Sequence, residues 1–438
     1  MQILFSKIAA VTLEDGAPVL ENAYVLVDGT KITYVGTEEP PHDADCEIID
    51  GSGRALLPGF INAHTHLPMT ALRGYADGIP LDRWLNEFIF PAEDRLDARA
   101  VRAATDLALA EMCSSGSVSA SDMYMFCGEI ADCAVRAGMK LNVARGLVIQ
   151  SENPEEIRRS QGWREQEELL RDWQGAGDGL IRVDASIHGE YTSTPQLWDA
   201  VRDFAMANGL RIQIHLSETY AEHHGCKERR WMTPTMALMA TGVFDCPVTA
   251  AHGVFLEKDD LMTLKFKHDF VLAHCPVSNL KLGSGIAPMW RILRSGITVA
   301  LGTDGASSND SHDMFEEIKL TAMLHRGAEQ DAELVTPVQA LKMATEGGAA
   351  AQGRGDECGK LAAGYDADLT VLDLSRPGLH PQHSLVSNIV YCARGSDVYM
   401  TLCRGRTLYR AGEWKTIDVE RAIYEVDRYA APLVSGRL

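Results

Sequence analysis

The sequence predicts an α/β fold in which a TIM-type (β/α)8 barrel carries a small β-sandwich domain built from both termini. Three observations predict this fold. Eight short apolar runs alternate with helix-like stretches in the middle of the chain, β-rich segments stand at both ends, and polar residues of metal-binding types follow several of the apolar runs. A chain of 438 residues is long enough for one large barrel with an appendage.

The β-domain is predicted in two pieces. Residues 1–55 form the first piece, in which two β-rich runs flank a turn at Asp28 and Gly29. Residues 361–438 form the second piece, with β-rich runs around residues 404–406 and a closing helix over residues 418–431. Because the two ends are alike and the middle differs from both, we expect the ends to assemble into one domain.

The barrel is predicted over residues 56–360. Its strand-like runs lie near 56–62, 117–121, 140–148, 181–187, 210–216, 247–251, 269–273 and 297–302. Helical patterns such as residues 98–113 and 195–208 lie between these runs. An open doubly wound sheet is the competing fold, but the G-x-G-x-x-G motif usual after its first strand is absent.

The composition disfavours several classes of function. The 41 basic and 61 acidic residues give a formal net charge of −20, which is unfavourable for binding nucleic acid or an anionic membrane surface. No signal peptide and no apolar stretch of transmembrane length is visible. The ten cysteines contain no C-x-x-C pair and are interpreted as free thiols, so we expect a cytoplasmic location.

Histidines and carboxylates follow the ends of four predicted strands. They are His64 and His66 after the first run, His215 and Glu218 after the fifth, His252 after the sixth and Asp304 after the eighth. Because active sites of (β/α)8 barrels lie at the C-terminal ends of the strands, these residues are expected at one rim. Residues i and i+2 of a strand point to the same side, so both histidines of the H-x-H pair can hold one ion. The alternative is a set of core or capping histidines satisfied by hydrogen bonds; the pattern as a whole favours a metal site.

Three further histidines are less informative. His274 closes the seventh run and is expected beside the metal ligands. No role is predicted for His312 or His325, because no partner pattern accompanies them.

These motifs resemble the amidohydrolase superfamily over nearly the whole chain. The motifs lie at residues 58–66, 215–218, 251–253 and 302–305. The resemblance implies one divalent metal ion per subunit, zinc first with iron or manganese as alternatives, held by His64, His66, His215 and Asp304. Because His188 rather than a bridging lysine stands at the end of the fourth strand, the resemblance implies the one-metal branch.

Within that branch the sequence resembles the 5-methylthioadenosine/S-adenosylhomocysteine deaminases. The matching positions are Trp84, Glu93, Arg145, His188 and the run 274–279. The resemblance implies that the first four contact the substrate, with Glu93 accepting the ribose hydroxyls. The implied reaction is hydrolytic release of ammonia from the 6-amino group of 5′-methylthioadenosine or S-adenosylhomocysteine, with adenosine and 5′-deoxyadenosine as further candidates.

The implied mechanism assigns three catalytic residues, two of which also contact the substrate. Asp304 would ligate the metal and accept a proton from the attacking water, and His252 would orient that water and stabilise charge. Glu218 would protonate ring N1 and then the leaving ammonia; its alternative role is to hydrogen-bond a ligand histidine. A small-molecule nucleoside is thus the expected partner, and the sequence is compatible with a homo-oligomer.

Two alternatives to this activity remain open. One is a related hydrolase of guanine, a pterin or an s-triazine, and the other is a non-catalytic barrel, which the intact ligand set disfavours. The substrate is also open at its 5′ end. Family members that bind a homocysteine carboxylate use a second arginine after the third strand, and Arg158 and Arg159 lie near that place but at a different spacing from Arg145.

Overall fold

A computed structural model describes residues 2–79, 81–267 and 269–437. Over these residues it confirms the predicted (β/α)8 barrel. The parallel barrel strands are, in order, Phe60–His66, Ser117–Tyr124, Lys140–Arg145, Ile181–Val183 continued by Ala185–Ile187, Ile212–Leu216, Val248–His252, Phe270–His274, and Thr298–Leu301 continued by Asp304–Gly305. The last segment, Asp304–Gly305, pairs with the first strand and so closes the barrel.

The small β-domain forms a single hydrogen-bonded sheet from both ends of the chain. Its strands within the described ranges are Gln2–Glu14, Ala17–Asp28, Lys31–Gly36, Glu47–Asp50, Arg54–Pro58, Leu369–Asp373, Val398–Cys403, Arg406–Arg410 and Glu413–Trp414. N-terminal and C-terminal strands meet where Arg54–Pro58 pairs with Leu369–Asp373. Side chains such as Phe5, Val27 and Met400 share one apolar cluster, which holds the two terminal pieces together.

The apolar run near residues 56–62 contains two strands of different sheets. Arg54–Pro58 belongs to the β-domain, and the first barrel strand begins at Phe60. Gly59 joins them, and a Cβ atom there would lie only 2.4 Å from Cγ1 of Val118. The chain therefore turns from one sheet into the other at a residue without a side chain.

Helices connect the barrel strands and cover the barrel. The α-helices are Leu81–Arg83, Phe90–Glu93, Ala98–Ser114, Cys127–Ala137, Pro154–Arg159, Gln161–Trp173, Ala176–Gly179, Pro195–Asn208, Tyr220–Arg230, Pro234–Ala240, Lys258–Leu264, Pro276–Lys281, Met289–Ser295, Met314–Glu329, Pro337–Lys342, Gly348–Ala351, Leu385–Tyr391, Val419–Glu425 and Ala431–Val434. Short 3-10 helices are Leu67–Leu72, Glu190–Thr192, Val243–Asp245, Pro377–Leu379 and Gly395–Asp397, and π-helices are Trp84–Ile89, Met343–Gly347 and Val426–Ala430. No helix in the described part of the chain is both long and apolar enough to cross a membrane.

The closing helix at the C-terminus packs on the barrel. Arg99, on helix Ala98–Ser114, donates from Nε to Glu425 at 2.8 Å, and the hydroxyl of Tyr429 donates to Asp97. The last helical turns therefore secure the barrel from outside rather than extending the β-sheet.

A buried ion cluster joins the barrel to the β-domain. Lys140 begins the third barrel strand and is 1% exposed. Its Nζ donates to Asp366 at 2.6 Å and to Asp368 at 2.5 Å, and both aspartates precede strand Leu369–Asp373. Because a buried charge without partners is strongly destabilising, these bonds fix how the two sheets meet.

Candidate active site

The barrel strands bring the predicted metal ligands together at their C-terminal ends. Nε2 of His66 lies 3.2 Å from Oδ1 of Asp304 and 3.2 Å from Nε2 of His215. Nε2 of His64 lies 3.4 Å from the same Asp304 oxygen. These four side chains come from strands one, five and eight, and all are buried.

A fifth residue, His252, belongs to the same cluster. One ligand atom from each of His64, His215, His252 and Asp304 lies within 4.8 Å of the others, a spacing that one ion could bridge. This group includes His252 but not His66, which the sequence predicts as a ligand. His66 is nevertheless in contact with two of its members, so the structure supplies five donor side chains around one point.

Main-chain carbonyls fix the ring orientation of two ligand histidines. Nδ1 of His66 donates to the carbonyl of Met123 at 2.6 Å, and Nδ1 of His215 donates to the carbonyl of His188 at 2.6 Å. With a proton held on Nδ1, Nε2 of each ring faces the cluster. This is the usual way in which proteins orient imidazole for metal binding.

The protonation states and one orphaned atom fit a bound cation. Burial lowers the pKa of His64 to about 4 and that of His215 well below its usual value, so both rings stay neutral. Nε2 of His64 is buried without a hydrogen-bond partner, which is costly unless something else contacts it. In His66, burial is outweighed by the hydrogen bond to Asp304, which raises the histidine pKa to about 9. A cation would therefore have to displace this proton.

Two serines hold the carboxylate of Asp304. The hydroxyls of Ser278 and Ser308 donate to its Oδ2 at 2.6 and 2.9 Å, which leaves Oδ1 facing the histidines. Burial would raise the pKa of Asp304, but the neighbouring imidazoles of His64 and His66 lower it well below its usual value. The carboxylate is therefore ionised and oriented.

Glu218 stands beside the cluster without belonging to it. Its Oε2 lies 3.8 Å from Nε2 of His252, and its Oε1 accepts a hydrogen bond from Ser284 at 3.2 Å. Burial raises the pKa of Glu218, although the nearby His252 lowers it. Nδ1 of His252 in turn donates to Oδ1 of Asn279 at 2.9 Å. A carboxyl group with a raised pKa next to these donor side chains is suited to proton transfer.

A cavity of about 470 Å³ opens from this cluster. The predicted substrate residues Trp84, Glu93, Arg145 and His188 all line it. Trp84 and Glu93 come from the helical segments Trp84–Ile89 and Phe90–Glu93 after the first strand. The volume is in the range of small-molecule sites.

Of these four residues, Trp84 and Glu93 are the least exposed to solvent. Glu93 is 6% exposed, and its Oε1 has no hydrogen-bond partner. Burial raises the pKa of Glu93 to about 7, against a lowering effect of the neighbouring Tyr124 hydroxyl. An unpaired buried carboxylate oxygen facing a cavity is a ready acceptor for a ligand hydroxyl.

Arg145 is occupied by an acidic neighbour. Its Nε donates to Oε2 of Glu165 at 2.6 Å and its Nη1 donates to the carbonyl of Gly146 at 2.5 Å. Arg158 and Arg159 are exposed on helix Pro154–Arg159 and do not line the cavity, while Arg159 pairs with Glu155. The structure thus does not bring the two candidate arginines to the site.

Sequence reasoning missed several supporting residues. Ser278 and Asn279 fall within the run 274–279, but their roles as partners of Asp304 and His252 are visible only in the fold. His274 pairs with His325 through their Nε2 atoms at 2.9 Å, both rings being buried. Tyr124, the last residue of the second barrel strand, also lines the cavity, and this position was the one signal that could have identified it.

The chain matches known proteins over nearly its full length. Residues 55–408 match the amidohydrolase family. A 5-methylthioadenosine/S-adenosylhomocysteine deaminase from Caldanaerobacter subterraneus subsp. tengcongensis is 37% identical over 441 residues, which cover 100% of both chains. A protein of the same name from Dictyoglomus thermophilum is 40% identical over 388 residues, covering 88% of this chain and 89% of the relative.

Solved structures of other proteins also resemble this fold over nearly its full length. An adenosine deaminase from Xanthomonas campestris, determined with bound zinc, superposes with a TM-score of 0.91 at 29% identity, covering 99% of this chain and 98% of the other. An atrazine chlorohydrolase from Arthrobacter aurescens reaches a TM-score of 0.89 at 23% identity, covering 99% of this chain and 100% of the other. At that identity the second similarity supports the fold alone.

Proposed function

The chain belongs to the amidohydrolase family, and on that premise we propose that it is a metal-dependent deaminase of adenine nucleosides. The reaction would replace the 6-amino group of the purine by oxygen and release ammonia. The substrates would be nucleosides of the type named for its relatives, 5′-methylthioadenosine and S-adenosylhomocysteine, with adenosine and 5′-deoxyadenosine as further candidates.

The observation that carries this proposal is the buried cluster at the strand ends. Nε2 of His64 and Nε2 of His66 lie 3.4 and 3.2 Å from Oδ1 of Asp304, and Nε2 of His215 lies 3.2 Å from Nε2 of His66. Once the His66 proton is displaced, these side chains form a donor set for a transition metal. We assign His64, His66, His215 and Asp304 as the ligands of one divalent cation. Zinc is the first candidate because the Xanthomonas structure was determined with zinc, and iron or manganese would suit the same nitrogen and oxygen donors.

A cation held by these residues would supply a water of lowered pKa as the nucleophile at neutral pH. The protein groups around it would handle the protons. Asp304, ionised and held by two serines, would accept the proton that the attacking water loses. His252, whose Nδ1 proton is committed to Asn279, would present Nε2 to orient that water.

Glu218 would act as the acid. Burial raises the pKa of its carboxyl group, which favours the protonated form that would donate to ring N1. The same carboxyl would then deliver a proton to the leaving ammonia. Its position outside the donor cluster separates this role from metal binding.

The cavity walls would hold the nucleoside. Glu93 would accept the ribose hydroxyls with its unpaired Oε1, and Trp84 would pack against the ligand. His188, whose Nδ1 contacts Oγ1 of Thr192 at 3.0 Å, would contact the purine or ribose. Arg145 would lie towards the 5′ end of the substrate.

Ammonia release from a panel of compounds tests this proposal. Purified protein with one equivalent of Zn²⁺ is assayed with 5′-methylthioadenosine, adenosine, guanine, a pterin and an s-triazine. We expect kcat/KM to be highest for an adenine nucleoside. Preference for guanine, the pterin or the triazine would instead assign the chain to a different hydrolase of the family.

The cysteines support a reducing compartment. All ten are free thiols. Since disulfides are common in oxidising compartments and rare in the cytosol, we propose a cytoplasmic location.

A further inference from the structure

The outer part of the cavity differs in charge and exposure from its metal end. His64, His215 and Asp304 are at most 5% exposed, whereas the Arg145 side chain is 20% exposed and Val148 is 49% exposed. A purine nucleoside placed with C6 at the cluster of donor side chains would therefore extend its 5′ substituent past Arg145 towards solvent. This outer region decides which 5′ substituents are accepted.

Acidic residues dominate the charged lining of the cavity. Among the described residues that line it, Glu93, Asp94, Glu218 and Asp304 are acidic, and Arg145 is the one arginine or lysine. Leu147, Val148 and Ile149 add apolar surface next to Arg145. A thioether chain suits this surface, and a carboxylate needs the arginine.

Glu165 already engages that arginine. Its Oε2 accepts from Nε of Arg145 at 2.6 Å, and its Oε1 accepts from Nε2 of Gln161 at 2.7 Å, so that both carboxylate oxygens are held. Nη1 of Arg145 is also bonded to the carbonyl of Gly146. The Glu165 carboxylate therefore offsets the Arg145 charge, and each bidentate edge of the guanidinium already has one donor engaged, Nε on one edge and Nη1 on the other.

We propose that Glu165 is a specificity-determining residue that makes this site select nucleosides with an uncharged 5′ thioether over nucleosides with a carboxylate there. This inference rests on the proposed function for the identity of the substrate. A second arginine does not compensate, since Arg158 and Arg159 do not line the cavity. 5′-Methylthioadenosine is accordingly preferred to S-adenosylhomocysteine.

A length-matched pair of substrates tests this selectivity. One is 5′-butylthioadenosine, and the other is 5′-(3-carboxypropylthio)adenosine, which differs by the terminal carboxylate. With the zinc-loaded enzyme we expect kcat/KM to favour the uncharged compound by at least about tenfold, equivalent to one decade of discrimination. Equal values, or a preference for the carboxylate, overturn the inference.

Variants separate the Glu165 effect from a general effect of charge. Glu165→Gln removes the competing carboxylate, and we expect it to shift the ratio towards the carboxylate substrate by about tenfold. Glu168→Gln is the matched control: it makes the same charge change on the exposed side of the same helix and should leave the ratio unchanged. Arg145→Met should reverse the shift when combined with Glu165→Gln. An unchanged ratio in Glu165→Gln overturns the role of Glu165.

A binding measurement keeps this result apart from the proposed reaction. Dissociation constants of the two nucleosides are measured by calorimetry on the zinc-loaded enzyme and on the Glu165→Gln variant. If neither compound releases ammonia, the proposed reaction fails, but tighter binding of the uncharged compound still supports the selectivity. If ammonia is released and both compounds bind equally, the reaction stands and the selectivity is wrong.

Discussion

Replacing Glu218 by glutamine removes a proton donor while keeping the shape of the site. The amide oxygen of the variant can still accept the hydrogen bond that Ser284 donates to Oε1, so little packing is lost. Because Glu218 is outside the donor cluster, metal content should remain near one ion per chain. The loss should therefore appear in kcat, by about 10²–10⁴-fold, which is the usual contribution of general acid–base catalysis.

The pH profile of the native enzyme provides a second readout of the same carboxyl group. Burial raises the pKa of Glu218 above that of an exposed glutamate. The acid form is the active one, so this limb of the kcat/KM profile falls as pH rises through that pKa. The Glu218→Gln variant should lack this limb.

Ser284→Ala serves as the milder comparison. It removes one hydrogen bond to Glu218, which typically contributes about 1 kcal/mol and corresponds to roughly fivefold in rate. Steady-state kinetics and metal analysis of each preparation give kcat per bound metal ion for the native enzyme and both variants. If Glu218→Gln loses the metal yet retains its activity per bound metal, the residue supports the site and our catalytic role for it is wrong.

Four further predictions concern buried polar groups. His66→Ala and Asp304→Asn should each lose both metal and turnover. The Zn²⁺ affinity of the native protein should fall about tenfold per pH unit between pH 8 and 6, because the cation displaces the His66 proton, whose pKa is about 9. A pH-independent affinity measured with a competing chelator would contradict this. Glu93→Gln should reduce kcat/KM for nucleosides by about 5- to 150-fold, corresponding to about 1–3 kcal/mol, with no such loss on a free base; equal effects on both would remove its ribose role. Lys140→Met should lower the free energy of unfolding by about 3–5 kcal/mol in denaturant titrations, because it leaves Asp368 buried without a cation and Asp366 with Lys31 alone; a change below about 1 kcal/mol would refute the structural role.

The sequence was most informative about histidines and carboxylates at the ends of predicted strands. His64, His66, His215 and Asp304 stand just past apolar runs, and parallel strands bring such positions to one rim without any further assumption. The run near residues 56–62 was harder, because consecutive strands that are buried in different sheets have the same apolar composition. Only the pairing partners of Arg54–Pro58 show that the β-domain extends to Gly59.

The partners of the site residues could not be predicted from sequence. Glu165 lies 20 positions after Arg145, and His325 lies 51 positions after His274, with no periodicity that joins either pair. Their contacts depend on how a helix packs on a strand end. Sequence spacing carries information within a strand, but contacts between elements are set by the packing of the whole barrel.

The carbonyl partners of His66 and His215 have a consequence for how this site can evolve. Their Nδ1 protons are held by the main chain of Met123 and His188, which every residue type would supply at those positions. Amino-acid replacement there leaves the imidazole tautomers in place. Among these hydrogen-bond partners, point substitutions can instead alter the site at Ser278, Ser308 or Asn279, whose side chains hold Asp304 and His252. His66 and His215 are thus insulated from point substitution of their partners, whereas Asp304 and His252 are open to it.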